Sequence, residues 1–426
     1  GRLLMMVLKL GKRRKVFKPY IWMATYLFLY VYAPRLISLN TIHLLFGIAI
    51  IGIIPILHDV KYVLEHSKAL LFSVVFLYIG LMIVTIGEIY HGSSSEVYRF
   101  LLLTIEVPMC AVYIVSVMKH YGITQEKIVS VVILNATIQA VIAVLMLTVP
   151  AFKMLINQHN AQFWDERYIG WSTHRMYGFS DNLLHTTPIV QAVIAVLILP
   201  RASKKRTSVL LVVLLLLSVV LNARTGIVVF VLGASYFLIQ KDENRSKWKF
   251  VLIGLTMGII AGLIALSLVA KYSPDMYTYF MEGFSEIADF AHGESKQGFF
   301  YEAQNGFFKM PSGLKLIWGC GIEVMVGTKY KYGVSSDVGF VNDMWCGGII
   351  GTAAIILNYL IQINALKKLH IENPKLMETA FLIAFIVGHM KGILTAYNDY
   401  TALLLVLATS VALPENKGEK IENEYA

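Results

Sequence analysis

The feature that most constrains this chain is the apolar stretch 207–240, which is interrupted once, at Asn222-Ala223-Arg224-Thr225-Gly226. Basic clusters at 201–206 and 241–249 flank the stretch on both sides. Because basic flanks favour the cytoplasmic side of a membrane, we expect the stretch to enter and leave on one face, as a helical hairpin turning at Arg224. Each arm has about 17 residues, the lower limit for a span, so we expect the turn to lie below the outer bilayer surface.

The position of Arg224 in this turn predicts that its guanidinium lies inside the membrane. A central arginine costs about 2.5–3.5 kcal/mol on insertion scales, so an arginine there needs an anionic partner. Two readings of Arg224 remain open at this point. It binds an anionic ligand, or it extends to the outer headgroups or pairs with an internal acid of the protein.

The composition predicts an all-α polytopic membrane protein that forms a single integral membrane domain over residues 1–426. The chain is 57% hydrophobic and 15% charged, with a mean hydropathy of +0.64. About 12 apolar segments are long enough to be transmembrane helices. Most Lys and Arg residues of the short loops fall on the side that also carries both termini. This asymmetry predicts that both termini are cytoplasmic.

Charge and cysteine usage argue against several classes of function. The net charge of +10 is expected to set orientation and to contact anionic membrane lipids. The sequence has no basic stripe with interleaved aromatic residues, which is the pattern that indicates nucleic-acid binding. The three cysteines form no CxxC pair, and the chain has no HExxH motif or Gly-rich phosphate loop. We therefore expect no metal and no cofactor.

Two long segments, 151–182 and 271–338, are predicted to be loops on the outer face. Both are rich in Tyr, Phe and Trp beside polar residues. Aromatic faces stack against sugar rings while polar side chains bond the hydroxyls, so a glycan-binding surface is one interpretation. An aromatic belt at the membrane interface is the other.

Glu106 favours a different class of function. It lies within the fourth apolar segment, next to Pro108, where an ionisable group could relay protons in a transporter. A flippase or proton-coupled exporter would place its key charges near the bilayer midplane and would need no long outer loops. Here Arg175, Arg224 and Asp337 are all predicted on the outer side, which favours an enzyme.

Several motifs occur in order on the predicted outer side. They are Arg175-Met176-Tyr177-Gly178-Phe179 with Asp181-Asn182, the turn at 222–226, Trp318-Gly319-Cys320-Gly321, Ser336-Asp337-Val338-Gly339-Phe340 and Gly348-Ile349-Ile350-Gly351. In order and topology they resemble the bacterial O-antigen polymerase and ligase superfamily, over about residues 167–351. Ligases of that family usually carry a His-Asn pair where this chain has Asp337. An acidic residue at this position is typical of the polymerases of the family.

The resemblance implies a metal-independent glycosyltransferase of GT-C-like architecture in the bacterial inner membrane, with its active site facing the periplasm. Such a polymerase transfers the growing glycan from undecaprenyl pyrophosphate onto the non-reducing sugar of a lipid-linked repeat unit. A ligase would transfer the glycan onto lipid A core. Partners that such enzymes can have are a chain-length regulator and the repeat-unit flippase.

The reaction predicts roles for particular side chains. Arg175 and Arg224 are expected to hold the pyrophosphate by forked hydrogen bonds. Asp337 is expected to be the base for the acceptor hydroxyl, with capping of the following helix as the alternative. Further substrate contacts are predicted from residues near the motifs. For His174 and His185 a structural, hydrogen-bonded role is the favoured alternative, and Tyr177, Lys331 and Tyr332 could equally be interface anchors. This predicted set comprises His174, Tyr177, His185, Asn222, Lys296, Lys331 and Tyr332.

Overall fold

The computed structural model describes residues 19–36, 39–91, 95–164, 166–181, 185–202, 205–240, 247–292, 308–324, 334 and 336–415. Within these ranges the regular structure is helical and contains no strand. Lys296, Lys331 and Tyr332, which the sequence suggested as substrate contacts, lie outside the described residues.

The helices follow one another with short connections through most of the chain. In order they are α1 (19–32), α2 (Thr41–Ile53), α3 (Leu57–His66), α4 (Lys68–His91), α5 (Ser95–Leu101), α6 (Val107–His120), α7 (Gln125–Thr148), α8 (Pro150–Ala161), α9 (Glu166–Thr173), α10 (Thr186–Ala202), α11 (Arg206–Asn222), α12 (Thr225–Ile239), α13 (Lys247–Tyr272), α14 (Pro274–Ala291), α15 (Leu314–Trp318), α16 (Gly339–Leu366), α17 (Pro374–Lys391) and α18 (Asp399–Thr409). A short 3-10 turn joins α2 to α3, and a π-helical turn, Leu102–Glu106, joins α5 to α6.

Ten of the described helical segments are apolar in the manner of a membrane protein. Five are long and apolar enough to cross a membrane, judged by length and composition: Thr41–His66, Lys68–Ile89, Val97–His120, Gln125–Thr148 and Gly339–Leu366. Shorter apolar helices include Thr186–Ala202, Arg206–Asn222, Thr225–Ile239, Gly258–Tyr272 and Asp399–Ala412. The prediction of an all-α membrane protein is confirmed.

A turn at Ala223-Arg224 separates α11 from α12, at the position predicted for the hairpin. Ala223 is extended, with φ −154° and ψ 142°, which ends the helical path of α11. The two helices have 17 and 15 residues. At 1.5 Å per residue, both are shorter than the ~30 Å hydrocarbon core of a bilayer. Both helices pack against α10, and a Cβ at Gly226 would lie 2.5 Å from the Pro188 carbonyl oxygen.

One end of the helix bundle gathers the loops that contain the predicted site residues; we call it the site end. The Met176 N–H donates to the Leu221 carbonyl oxygen (3.0 Å), which joins the segment after α9 to the end of α11. The Asp181 N–H donates to the Tyr32 carbonyl oxygen (3.1 Å) and joins the same segment to the end of α1. The loops before α10 and α16 and after α17 meet in the same region, because Gly392 lies against both His185 and Gly339.

The opposite end gathers another set of connections. Arg201 and Glu372 form an ion pair of 3.5 Å between the end of α10 and the loop before α17. The Gln125 side chain donates to the Leu413 carbonyl oxygen (2.9 Å) and accepts a bond from the His370 N–H (2.7 Å). These contacts tie the chain segments after α6, α10, α16 and α18 into one surface.

The Gly348 motif and the Trp318 motif meet at a break in α16. Gly348 has φ 60° and ψ −163°, a conformation that interrupts the helix. The carbonyl groups released by the break are bonded by the segment after α15. Cys320 N–H donates to the Trp345 carbonyl oxygen (2.7 Å), and Gly321 N–H donates to the Cys346 carbonyl oxygen (2.9 Å). A broken helix inside a membrane protein needs such partners, because no water is present to bond the free backbone groups.

The two long segments that the sequence predicted as loops contain helices. The first, 151–182, holds most of α8 and all of α9; the second, 271–338, holds α14 and α15. In the first segment the aromatic residues pack on one another, with the Trp164 and Tyr177 rings 5.3 Å apart in an edge arrangement. Residues 293–307 and 325–333 of the second segment lie outside the described residues.

Candidate functional site

Two of the predicted motifs lie side by side at the site end. The Met176–Leu221 hydrogen bond places Arg175 next to the last turn of α11, so its segment borders the turn that carries Arg224. Arg175 and Arg224 are both partly exposed. Arg224 occupies the N-cap position of α12, and Asn222, the last residue of α11, is buried. The Asn222 Oδ1 atom has no hydrogen-bond partner among the described residues.

The turn after Arg175 is held by one side chain that the sequence did not suggest. Gln139 of α7 donates to the Tyr177 carbonyl oxygen (2.8 Å) and accepts from the Phe179 N–H (3.1 Å). Between these residues Gly178 has φ 67°, and a Cβ there would lie 2.5 Å from the Gln139 Nε2 atom. The amide therefore bonds both sides of a turn that requires glycine.

Tyr177 lies inside this packing and not on an open surface. Its side chain is buried, and its hydroxyl donates to the Asn157 Oδ1 atom (2.7 Å) and accepts from the Asn160 amide (3.3 Å). Burial raises the pKa of the phenol above its ordinary value. The structure thus gives Tyr177 a role in fixing α8 to the Arg175 segment, whereas the sequence suggested glycan contact.

One partly exposed and one buried carboxylate anchor the rest of the Arg175 segment. Asp181 pairs with Arg35 (2.7 Å) and accepts from the Trp164 indole (3.0 Å). Asp399, the first residue of α18, is fully buried and accepts from the hydroxyls of Ser180 and Thr187. These bonds connect the segment to the start of α10 and to α18, so its backbone is constrained on several sides.

His185 is buried immediately before α10, among cations. A Cβ at Gly392 would overlap its ring, so the imidazole packs against the end of α17. Burial, followed by the charges of Lys391 and Arg175, lowers the pKa of His185 to about 3. His185 is therefore neutral at physiological pH and can donate one hydrogen bond and accept another, but it does not supply a positive charge. His174 follows α9 and is partly exposed.

Asp337 forms an ion pair that the sequence did not predict. The Lys391 Nζ atom lies 3.6 Å from the Asp337 Oδ2 atom, and both side chains are partly exposed. The N-cap residue of α16 is Val338 and not Asp337, and among the described residues no side-chain hydrogen bond caps this helix. Ser336 instead accepts from the Val338 N–H (3.1 Å). Asp337 is thus presented next to a cation at the site end.

A second, fully buried pair lies one helical turn deeper. The His389 Nε2 atom is 3.0 Å from the Asp343 Oδ2 atom, with neither side chain exposed. Thr395 donates to the other Asp343 oxygen (2.8 Å). A Cβ at Gly339 would lie 2.6 Å from the His389 Nδ1 atom, so α16 and α17 approach closely here. The pair fixes α16, which Asp337 precedes, against α17, which ends at Lys391.

Glu106 belongs to a separate polar group. It ends the π-helical turn, and its Oε2 atom lies 2.7 Å from the His43 Nδ1 atom. The other His43 nitrogen is 2.7 Å from the Tyr98 hydroxyl. The group is built from α2, α5 and the turn before α6, none of which carries Arg175, Arg224 or Asp337.

The site end can bind an anion and can accept a proton. Arg175 and Lys391 supply positive charge near a neutral His185, and Asp337 supplies a carboxylate beside one of these cations. In the part of the chain that the structure describes, no group of three or more His, Cys, Asp or Glu residues could hold a metal ion. Comparison of the chain with models of known protein families finds no match, and comparison with curated proteins finds none either.

Proposed function

We propose that this protein is an O-antigen or related surface-polysaccharide polymerase that extends glycans carried on undecaprenyl pyrophosphate. One observation carries the proposal: Lys391 pairs with Asp337 and, together with Arg175, acts electrostatically on the buried His185, at the end of the helix bundle where the Arg224 turn also lies. A lipid-linked diphosphate needs cations at the level where its head group meets the bilayer. A glycosyl acceptor needs a base next to them.

The chemistry uses these groups in one displacement. The acceptor hydroxyl oxygen forms a bond to C1 of the donor sugar as the bond between C1 and the diphosphate oxygen breaks. The proton of the hydroxyl passes to the Asp337 carboxylate, and the electron pair of the broken bond leaves with the diphosphate. Arg175 and Arg224 stabilise the charge that develops on the leaving group through charge-assisted hydrogen bonds.

The proposal includes an orientation in the membrane. In the proposed topology the chain crosses the bacterial inner membrane about 12 times, with GT-C-like architecture, both termini in the cytoplasm and the site end facing the periplasm. The separation of loops into two ends supports this arrangement. The opposite end holds Arg201, Lys205 and Arg206 together with Lys367 and Lys368, as the positive-inside rule requires of a cytoplasmic surface.

A ligase that transfers the glycan to lipid A core would use the same donor site, so the acceptor distinguishes the two enzymes.

A lipid-linked oligosaccharide flippase is a second candidate, favoured by one observation. The Glu106 Oε2 atom lies 2.7 Å from the His43 Nδ1 atom within apolar helices, a suitable arrangement for carrying protons.

The test is polymerisation by the purified protein in detergent, with undecaprenyl-pyrophosphate repeat units as donor and acceptor. We expect longer lipid-linked chains without added nucleotide sugar or divalent metal. Arg224→Lys keeps the charge but loses the forked geometry, so polymer yield should fall at least tenfold at equal expression. Transbilayer movement of the same lipid without any lengthening would instead establish the flippase. Transfer only to lipid A core would establish the ligase.

A further inference from the structure

We propose that a polar and aromatic cluster at the site end binds a saccharide through its hydroxyl groups. The inference rests on the proposed function and deepens it, because it names the place where the glycan of the acceptor lies. Two hydrogen-bonded sets of partly exposed side chains form the cluster, which we call the saccharide cluster. Its members are Arg35, Asp181 and Trp164 in the first set and His43, Glu106 and Tyr98 in the second.

The two sets meet at the end of α1. Arg35 follows α1, and the first turn of α2 carries His43. The hydroxyl of Thr41, which begins α2, donates to the Pro34 carbonyl oxygen, so this first turn lies against the residue before Arg35. Arg35 also acts electrostatically on Tyr98. The guanidinium, the imidazole and the phenol therefore border one region.

The first set offers hydrogen-bond donors. The Arg35 Nε atom donates to the Asp181 Oδ2 atom (2.7 Å), and the Trp164 indole donates to the other Asp181 oxygen (3.0 Å). The carboxylate thus holds the guanidinium in one orientation. The two terminal nitrogen atoms of Arg35 bond no residue that the structure describes. They present their N–H groups in a fixed plane.

The backbone beneath Arg35 is constrained as well. Ala33 has φ 43°, a conformation that residues other than glycine rarely adopt. The His159 Nε2 atom lies 2.6 Å from the Arg35 carbonyl oxygen, and the Asp181 N–H donates to the Tyr32 carbonyl oxygen. Such strain persists only where surrounding contacts fix it, and it concentrates at binding sites.

The second set offers hydrogen-bond acceptors. The Glu106 Oε2 atom lies 2.7 Å from the His43 Nδ1 atom, and the His43 Nε2 atom lies 2.7 Å from the Tyr98 hydroxyl. Because an ionised carboxylate only accepts, Nδ1 carries the hydrogen atom, and the neutral ring accepts the Tyr98 O–H at Nε2. The lone pairs of the Tyr98 oxygen and the Glu106 Oε1 atom bond no other described residue.

Free donors and free acceptors in one region select a ligand that does both. A sugar hydroxyl donates and accepts, whereas an ionised phosphate only accepts and would meet the carboxylates of Asp181 and Glu106. A cation would meet Arg35. The partly exposed Trp164 ring adds an apolar surface for the C–H face of a sugar. The cluster therefore fits a neutral saccharide.

The test is calorimetric titration of the full-length protein in detergent with the repeat-unit oligosaccharide, released from its carrier by mild acid so that it has no diphosphate. We expect Tyr98→Phe to weaken binding threefold or more, because it removes an acceptor and keeps the ring. Arg35→Lys keeps a charge beside Asp181 but loses the forked donors, so binding should weaken about tenfold. Tyr121→Phe is the matched control. Tyr121 is 54% exposed, against 52% for Tyr98, and lies at the opposite end, so its variant should bind like the wild type.

Three outcomes would overturn the saccharide cluster. The first is a wild type that does not bind the oligosaccharide, and the second is wild-type affinity in both Tyr98→Phe and Arg35→Lys. The third is displacement of the oligosaccharide by equimolar inorganic pyrophosphate, which would show an anion site. If Arg35→Lys does not elute as a folded species, Tyr98→Phe decides alone, since it removes one exposed hydroxyl.

The repeat-unit assay separates this inference from the proposed function. Oligosaccharide binding that weakens in Tyr98→Phe, from a wild type that lengthens no glycan, would refute the polymerase and keep the saccharide cluster. Lengthening by the wild type, with an unchanged KM for repeat units in Tyr98→Phe, would refute the cluster and keep the polymerase.

Discussion

At the scale of single residues, Gln139 is a neutral side chain that holds the backbone turn directly after Arg175. Its amide bonds the Tyr177 carbonyl oxygen and the Phe179 N–H, as a neighbouring strand would. Arg175 stands just before this turn, in a segment that is not itself helical. The backbone after Arg175 therefore depends on a residue of α7.

We predict that Gln139→Leu lowers both stability and polymerisation. The change leaves the buried Tyr177 carbonyl oxygen and the partly buried Phe179 N–H without this partner, and an unbonded buried group costs about 1–3 kcal/mol. It also loosens the turn, so polymer yield per folded protein should fall at least tenfold. Thermal unfolding in detergent and the repeat-unit assay measure the two effects.

Gln125→Leu is the matched control, because Gln125 makes comparable bonds at the opposite end, to Leu413 and His370. It should reduce stability without reducing the activity of the folded fraction. Equal activity in the two variants would show that Gln139 has no special influence on the site.

At the scale of elements, the break in α16 joins two distant parts of the chain. Gly348 combines φ 60° with ψ −163°, a region that is open almost only to glycine. The break lets residues 317–321 lie against the helix and bond its free carbonyl groups. Because Asp337 precedes the same helix, the break also influences where the site end of α16 lies.

We predict that Gly348→Ala destabilises the protein, whereas Gly347→Ala does not. A Cβ at Gly348 would overlap the Ile317 carbonyl oxygen, in addition to about 1–3 kcal/mol of backbone strain. A Cβ at Gly347 would lie 3.7 Å from the Thr352 nitrogen, an ordinary contact. Thermal unfolding in detergent compares the variants. Similar midpoints would mean that α16 tolerates a continuous helix at this point.

At the scale of the whole molecule, the loops divide between two ends, and the proposed orientation can be tested from each. All three native cysteines are buried, so the wild type should give little background labelling. Thr173 at the site end and Lys368 at the opposite end are exposed positions for new cysteines.

We predict that an impermeant maleimide added to spheroplasts labels Thr173→Cys and not Lys368→Cys. Inverted inner-membrane vesicles should give the reverse pattern, because the site end faces the periplasm in the proposed topology. Labelling of both positions from one side would contradict the two-ended arrangement. A reversed pattern would place the site in the cytoplasm and end the proposal.

The sequence alone determined that the helices of this protein are apolar enough to lie in a membrane. It also determined where these helices turn. Apolar runs must be buried in lipid or protein, and their backbone groups must bond internally, so an all-α membrane protein follows from composition. The hairpin at Arg224 followed from one polar interruption, because such a turn is marked in consecutive residues. These are local consequences of residue type, and local patterns are visible in a sequence.

Only the tertiary structure decided which polar groups meet. The partners of Asp337 and Asp343 come from α17, and the clamp on the Arg175 segment comes from α7. No periodicity marks such pairs, because long-range contacts depend on how helices pack and not on spacing along the chain. The structure thus shows that Lys391, His389 and Gln139 belong to the candidate site. It also shows that Tyr177 is a buried residue that holds the site's backbone, because helix packing decides which polar groups become neighbours.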